Sequence, residues 1–202
     1  DGESVSYAPD ALGRATRVGG YLTGIGYFPN DEMAQATLGN GALYVAEQNA
    51  RQLPGNFSYG RGATLDLSED LAYDKNGNPT QITDLAGGPR SKTLGYDALD
   101  RLISAKATAL WGTETYAYDP INNIRQRVNG GQTTTWNYDS RNRLSSLSGA
   151  TAISFAYDAH GNVTSKGGTS LSFDAKNQLL GLPGIAYAYD AAGRRVSKTP
   201  AG

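Results

Sequence analysis

One nine-residue phrase, Trp136-Asn137-Tyr138-Asp139-Ser140-Arg141-Asn142-Arg143-Leu144, recurs through the chain with small changes. It returns as Leu94-Gly95-Tyr96-Asp97-Ala98-Leu99-Asp100-Arg101-Leu102, as Phe155-Ala156-Tyr157-Asp158-Ala159-His160-Gly161-Asn162-Val163, and in shortened form as Tyr187-Ala188-Tyr189-Asp190-Ala191-Ala192-Gly193. A chain that repeats one local unit folds as a repetition of one local structure, so this periodicity constrains the fold more than composition does.

Aligned on the aspartates, the copies place Asp10, Asp74, Asp97, Asp119, Asp139, Asp158, Asp174 and Asp190 at one position. Three residues later stand Gly13, Gly77, Asp100, Asn122, Asn142, Gly161, Asn177 and Gly193. All are Gly, Asn or Asp, the types that tolerate positive φ, which predicts a type I turn closed by a left-handed bulge residue. The aspartate at the first turn position suits a hydrogen bond from the backbone N–H two residues on, and Pro120 pre-sets φ at the second.

An aromatic residue precedes most of the aspartates: Tyr73, Tyr96, Tyr118, Tyr138, Tyr157, Phe173 and Tyr189. Two residues before it lies a large apolar side chain (Val5, Leu71, Leu94, Tyr116, Trp136, Phe155, Leu171, Tyr187), with a small or polar residue between. That alternation of period two is a strand entering a turn, and Leu102, Ile124, Leu144, Val163 and Leu179 start the return strands. A second set of turns falls between the aspartate turns, at Gly87-Gly88, Gly112, Gly130-Gly131, Gly149, Gly167-Gly168 and Pro183-Gly184. The aromatic spacing shrinks from 23 residues to 16, room for two strands of about six to eight residues and two turns. The predicted fold class is therefore all-β: repeated antiparallel β-hairpins in a meander that forms a curved or spiralling sheet.

Residues 1 to 202 read as a single array, degenerate over 1 to 70 and regular over 71 to 202, with no linker that marks a boundary. Tyr27-Phe28-Pro29-Asn30-Asp31 resembles a decayed copy. The stretch Asn30 to Thr37 reads as strand in preference to a capped helical turn, running into an Asn40-Gly41 hairpin turn. Residues 44 to 70 are the least regular, with turns expected at Leu53-Pro54-Gly55-Asn56 and Tyr59-Gly60-Arg61-Gly62, no good copy of the repeat, and a longer loop.

At 39% hydrophobic residues, with 26 glycines spread as turn punctuation, a thick two-layer core is not expected. Tyrosine carries much of the packing: 13 tyrosines against 4 phenylalanines suit a face that is partly wet. Without cysteine, thiolate chemistry and disulfides are absent. A net charge of -1 offers no basic footprint for nucleic acid or an anionic membrane. The halves differ, with 13 acids and 7 bases in residues 1 to 100 against 6 and 11 afterwards, which suits either a solvated surface or two different neighbours. No apolar run is long enough to span a membrane, and Asp1-Gly2-Glu3-Ser4 shows no signal-peptide pattern. Neither end offers a capping unit, so the chain reads as a section of a longer array.

Candidate chemistry is sparse. His160, the one histidine, sits at a turn tip, without the partners a nucleophile pair or metal cluster needs. Asp74-Lys75-Asn76-Gly77-Asn78 fails as a calcium loop, because its glycine comes fourth and Leu85 stands where the bidentate glutamate belongs. Gly39-Asn40-Gly41 and Gly60-Arg61-Gly62 lack the rest of a phosphate-binding loop. Asp66, Glu69 and Asp70 read as surface charge. No catalytic residue, cofactor or metal is assigned. Arg101, Arg141, Arg143, Arg194 and Arg195 follow the turns, where they would stack on the preceding tyrosine or bond turn carbonyls. Trp111 and Trp136, with Tyr116 and Tyr138, suit either sheet packing or a glycan-stacking face.

The recurring Tyr-Asp-x-x-Gly/Asn-Arg/Asn-Leu unit resembles the YD-repeat, or rearrangement-hotspot (Rhs), family. The resemblance rests on the units between Leu71 and Ala191 and on the mixture of Gly77-Asn78 and Gly161-Asn162 turns with Arg101-Leu102 and Arg143-Leu144 turns, and it extends over essentially the whole chain. It implies a hairpin ribbon that spirals into a hollow shell around a C-terminal cargo, usually a toxin, as in bacterial toxin complexes, polymorphic effectors and extracellular teneurins. It also implies export to the cell surface or medium, further repeats of the same parent chain as partners, and a secretion or delivery component. The family's C-terminal core, whose aspartates free the cargo in many members, has no counterpart after Ala191, so autoproteolysis is assigned to no residue. The expected role is a non-catalytic shell wall. An adhesive or carbohydrate-binding module and an extracellular filament are the alternatives the residues leave open.

Overall fold

The computed structural model describes residues 4–200; Asp1 to Glu3, read above for targeting signals, and Ala201-Gly202 lie outside the described residues. Every described strand is antiparallel to its partner, and neighbours in each sheet are neighbours in the chain. The chain divides into two compact units, Asp1–Glu114 and Thr115–Gly202.

In the first unit, strands β1 (Leu22–Tyr27), β2 (Met33–Leu38), β3 (Leu43–Gln48), β4 (Pro54–Arg61), β5 (Thr64–Tyr73), β6 (Pro79–Asp84), β7 (Lys92–Tyr96) and β8 (Leu102–Ala107) pair in that order. Strand β9 (Gly112–Tyr118) leads into the second unit. There β10 (Ile124–Asn129), β11 (Gln132–Tyr138), β12 (Leu144–Gly149), β13 (Ile153–Tyr157), β14 (Val163–Lys166) and β15 (Thr169–Ser170) continue the meander. Then β16 (Ser172–Phe173), β17 (Leu179–Leu182), β18 (Ile185–Tyr189) and β19 (Arg195–Pro200) form a four-stranded sheet.

The turns explain the meander. In each aspartate turn the Asp N–H donates to the carbonyl of the fourth residue on, and the N–H of the third donates back to the Asp carbonyl. At Asp139 these bonds reach Arg143 and come from Asn142, both at 2.9 Å. The third position has positive φ in all eight turns, from +59° at Asp100 to +96° at Gly77. The extra residue shifts the register by one, so that each aromatic pairs with the residue five after the aspartate: Tyr96 with Leu102, Tyr138 with Leu144, Phe173 with Leu179. On the opposite edge, Gly130-Gly131 and Gly167-Gly168 carry positive φ at both residues, the mirror-image turn whose twist suits a two-residue hairpin.

Residues 44 to 70 depart from expectation. The strands β3, β4 and β5 occupy them, and Pro54 to Asn56 and Tyr59 to Arg61 lie inside β4, so there is no long loop. The β3–β4 reversal is Asn49-Ala50-Arg51-Gln52-Leu53, which has the aspartate-turn backbone, with Asn49 N–H to Leu53 O at 2.9 Å and Gln52 at φ +60°. Gln48-Asn49 stands in for Tyr-Asp. Of the glycines that read as turns, Gly62 does close the β4–β5 hairpin at φ +57°, whereas Gly60 serves close approach, since a Cβ there would run into the carbonyl oxygen of Thr64 on β5. Phe28 to Glu32 repeats the same turn backbone, with Asp31 at φ +67°, and Met33 to Thr37 is strand.

Packing is shallow. Among the described residues the buried apolar side chains are Ile25, Ala36, Ala42, Ala105 and Ala107, and no large side chain is fully buried. The aromatics and leucines two before each Asp-preceding residue are half-buried, while Ala72, Ala117, Ala156, Ser172 and Ala188 face solvent. Trp136 pairs across the strands with Leu147, and Leu147 with Ile153, a three-strand apolar ladder. Truncating an enclosed Trp costs about 3–5 kcal/mol; for half-buried Trp136 the expected loss on Trp136→Ala is about 1–3 kcal/mol. The urea unfolding midpoint measures it, and an unchanged midpoint contradicts a packed ladder.

Candidate functional site

Within each unit, side chains of one aspartate turn reach the next turn, as Asn78 does to Asp100 and Asn162 to Asn177. Most of the aspartate carboxylates divide their two oxygens. Asp139 Oδ1 accepts the backbone N–H groups of Arg141 and Arg143, both at 2.9 Å, while Oδ2 accepts Arg143 Nε at 2.8 Å. Asp158 repeats this with the N–H groups of His160 and Asn162 at 2.9 Å and Asn162 Nδ2 at 2.8 Å. Asp74 does so with Asn76 and Asn78, and Asp97 with Leu99 and Arg101. Asp119 takes the same bonds from Ile121 and Asn123, and Asp174 takes the backbone pair from Lys176 and Gln178. A half-exposed ion pair contributes about 0–1 kcal/mol by itself. Here the carboxylate also takes two backbone donors of the turn that the sheet ladder does not use, so pair and turn hold each other's geometry.

These bonds shift the carboxyl groups. The side-chain amides of Asn78 and Asn162 hold Asp74 and Asp158 below the usual carboxylate range, as the Arg101 guanidinium does for Asp97. For Asp10, Asp139 and Asp190 the leading cause is the backbone N–H of Arg14, Arg143 and Arg194. Burial pushes Asp119 up, but its Asn123 and Ile121 donors outweigh it. Burial raises the Tyr73, Tyr96 and Tyr138 phenols.

The tyrosines tie one repeat to the one before. The hydroxyl of Tyr138 donates to the carbonyl of Ile124 at 3.1 Å, Tyr157 to Leu144 at 2.8 Å, Tyr189 to Leu179 at 3.0 Å and Tyr27 to Ala15 at 2.7 Å. The accepting residue is always the fifth after the previous turn's aspartate. Sequence patterning identified the ring but not this bond, because the acceptor is a carbonyl of another repeat.

The arginine stacking runs forward, in contrast to the expected contact with the preceding tyrosine. Arg143 lies over the ring of Tyr157 in the next repeat at 4.5 Å, and Arg14 over Tyr27 at 4.7 Å. The fourth turn position is anchored backward on its own aspartate, which leaves the flat face of the guanidinium for the following ring. Arg195 is the exception, lying over Tyr187 at 5.4 Å. The three remaining arginine expectations divide similarly: Arg101 and Arg194 pair with their aspartates, and Arg141 is exposed.

The other candidates fall elsewhere. His160 is an exposed turn residue. Glu69 lies 3.7 Å from Lys92, and the carbonyl of Asp66 accepts Arg90 Nη2. Among the described residues no group of three His, Cys, Asp or Glu side chains is placed to hold a metal ion. Trp111 sits in the turn between β8 and β9, 38% exposed. Trp136 is half-buried in mid-β11. Asn49, Arg51 and Gln52 were not singled out by the repeat, yet Arg51 reaches the carbonyls of Asp74 and Lys75 at 2.8 and 3.0 Å. The signal was present in the five-residue spacing from Asn49 to Leu53, with Asn replacing Asp.

Hairpins in chain order, an aspartate in each regular turn, and side chains that lock successive turns define an all-β YD-repeat array. The Teneurin YD-shell family model matches residues 20–202, and the chain belongs to that family. It is thus a structural segment of YD-shell type. Its fold is similar to that of the Photorhabdus luminescens Tc holotoxin pore, at 19% identity over 96% of this chain with a TM-score of 0.75. TcdB2-TccC3 without its hypervariable C-terminal region gives 18% identity, 96% coverage and a TM-score of 0.75. TcdB2-TccC3-Cdc42 gives 13%, 85% and 0.66. The chain spans 12% of each of these solved chains. No curated protein sequence matches it. Among the described residues no helix is long and apolar enough to cross a membrane.

The clamps set a pH dependence. A carboxyl whose pKa is lower folded than unfolded stabilises the fold above its unfolded value, about 4. That contribution is lost as pH falls through the folded value. Phenols raised by burial act at the other end, losing their contribution as pH rises above about 10. Thermal melts should show a plateau between about pH 5 and 9 with a cooperative fall below pH about 4; a melting temperature that rises on acidification contradicts the clamps.

Proposed function

We propose that this chain is a wall segment of a β-shell that encloses a C-terminal toxin or other cargo, in a bacterial protein secreted or delivered at the cell surface. The role is structural and non-catalytic. The observation that carries the reading is the lateral locking of repeats. Tyr157 bonds the carbonyl of Leu144 and Arg143 covers Tyr157, so adjacent hairpins hold one another where the shallow apolar packing is weak. A sheet built in this way extends by adding hairpins, as a wall requires. The fold's occurrence in a Tc holotoxin and in TcdB2-TccC3 supports a toxin-delivery setting, with the rest of a longer parent chain supplying further repeats and the cargo, and a delivery component acting on the assembly.

Within this reading residues 1 to 202 are one array. Its wall is held by the Tyr/Phe, Asp and Gly/Asn/Asp positions, from Tyr73, Asp74 and Gly77 to Tyr189, Asp190 and Gly193. The exposed ring of Trp111 favours a second reading, a glycan-binding surface, which glycan-array binding abolished by Trp111→Ala would support.

The direct test is the intact mass of the native polypeptide that carries this segment, before and after limited proteolysis. A chain several times longer, with a C-terminal piece that survives inside a resistant repeat particle, is the expected result. A native chain without a protected C-terminal piece contradicts encapsulation.

A further inference from the structure

The third and fourth positions after the aspartates vary together from one turn to the next, in a way that turn conformation does not require. Where the fourth position is Asn, the third position of the following turn has a side-chain oxygen that meets it. Asn78 Nδ2 donates to Asp100 at 2.7 Å, Asn123 Nδ2 to Asn142 at 2.6 Å, and Asn162 Nδ2 to Asn177 at 2.8 Å. Each of these amides also donates to its own aspartate, at 3.0, 2.9 and 2.8 Å, so one side chain spans two turns.

Where the fourth position is longer, the third position of the following turn is glycine in three of six turns, while Arg14, Glu32 and Arg101 precede turns whose third residues are Asp31, Gln52 and Asn122. Leu53 faces Gly77, where an added Cβ would sit 3.8 Å from Leu53 Cδ1. Gln178 faces Gly193, where an added Cβ would come within 2.9 Å of Gln178 Nε2. Arg143, followed by Gly161, passes across to the carbonyl of Asp158 at 3.4 Å. Arg14 meets a side chain rather than a glycine, and that side chain is the acidic Asp31, at 2.8 Å.

We infer that these two positions form a matching code between successive turns, in which a fourth-position asparagine is met by a short oxygen-bearing side chain at the third position of the next turn, and which selects the kind of hairpin that hairpin accepts as its neighbour. Two short side chains each cover half of the gap between turns. One long side chain reaches across the gap by itself, as Arg143 does to the carbonyl of Asp158 and Arg14 to the carboxylate of Asp31. The repeats therefore share one turn backbone and yet are not interchangeable in order. The inference rests on the turn geometry alone and stands whether or not the sheet encloses cargo.

The code and simple turn propensity make opposite forecasts at Asn177, whose φ is +61°. Glycine accepts that conformation at least as readily as asparagine, so propensity forecasts no loss on Asn177→Gly. The code forecasts a fall in melting temperature of about 2–4 °C, the shift that accompanies loss of roughly one hydrogen bond in a chain of this size. Gly193→Asn, at φ +79°, should also lower the melting temperature, and Gln178→Asn combined with Gly193→Asn should recover most of the loss by converting a long-to-glycine contact into a short-to-short one. An unchanged or higher melting temperature for Asn177→Gly, or a double variant no better than Gly193→Asn alone, overturns the code.

Discussion

Most of the regular hairpins here depend on one carboxylate that answers three donors at once. In a turn closed by a left-handed residue, the N–H groups two and four residues after the aspartate point inward and have no partner in the sheet ladder. An aspartate at the first position is short enough to reach both with one oxygen, as Asp139 does for Arg141 and Arg143, and its second oxygen remains for the side chain of the fourth residue. Without it those donors would be left to water, and the turn would keep only the two backbone bonds that close it.

The consequence reaches beyond the turn because the fourth residue is shared. Held against its own aspartate, the Arg143 guanidinium lies over the Tyr157 ring, and Tyr157 in turn bonds the carbonyl of Leu144, the residue that follows Arg143. Asn162 crosses from Asp158 to Asn177 and so carries the contact from the β13–β14 turn to the β16–β17 turn, past the point where β15 gives way to the next sheet. Contacts of about 1 kcal/mol or less, repeated along a line, accumulate as nearest-neighbour terms do in other repeat arrays. That suits a sheet whose large side chains are half-buried on one face and in which alanines fill the tightest positions.

The hairpins were legible in the sequence because their chemistry is local. Tyr-Asp spacing, the Gly, Asn or Asp three residues on and the period-two alternation each refer to residues within one turn, and β5 to β14 fall where they indicate. Residues 44 to 70 were not legible, since Gln48-Asn49 replaces Tyr-Asp, and Gly55 and Gly60, which look like turn residues, lie within β4 where the neighbouring strands come close. The tyrosine hydroxyl bonds, the forward stacking of Arg143 and the amide rungs were illegible for another reason. Each joins residues 10 to 22 positions apart, such as Tyr189 to Leu179 or Asn78 to Asp100, and the distance in sequence varies with the length of the strands between. The half-burial of Trp136 belongs to the same class, being set by Leu147 across the strand pair.

Native-state hydrogen exchange at the turn amides tests the carboxylate clamp most directly. The N–H groups of His160 and Asn162 lie at the surface edge of the sheet and are held by Asp158 alone among the described side chains. They should exchange slowly in the native chain and quickly in Asp158→Ala, with protection also falling at the turn of Asn177 that Asn162 reaches. Fast exchange at His160 and Asn162 in the native chain, or protection unaltered by Asp158→Ala, would contradict the account.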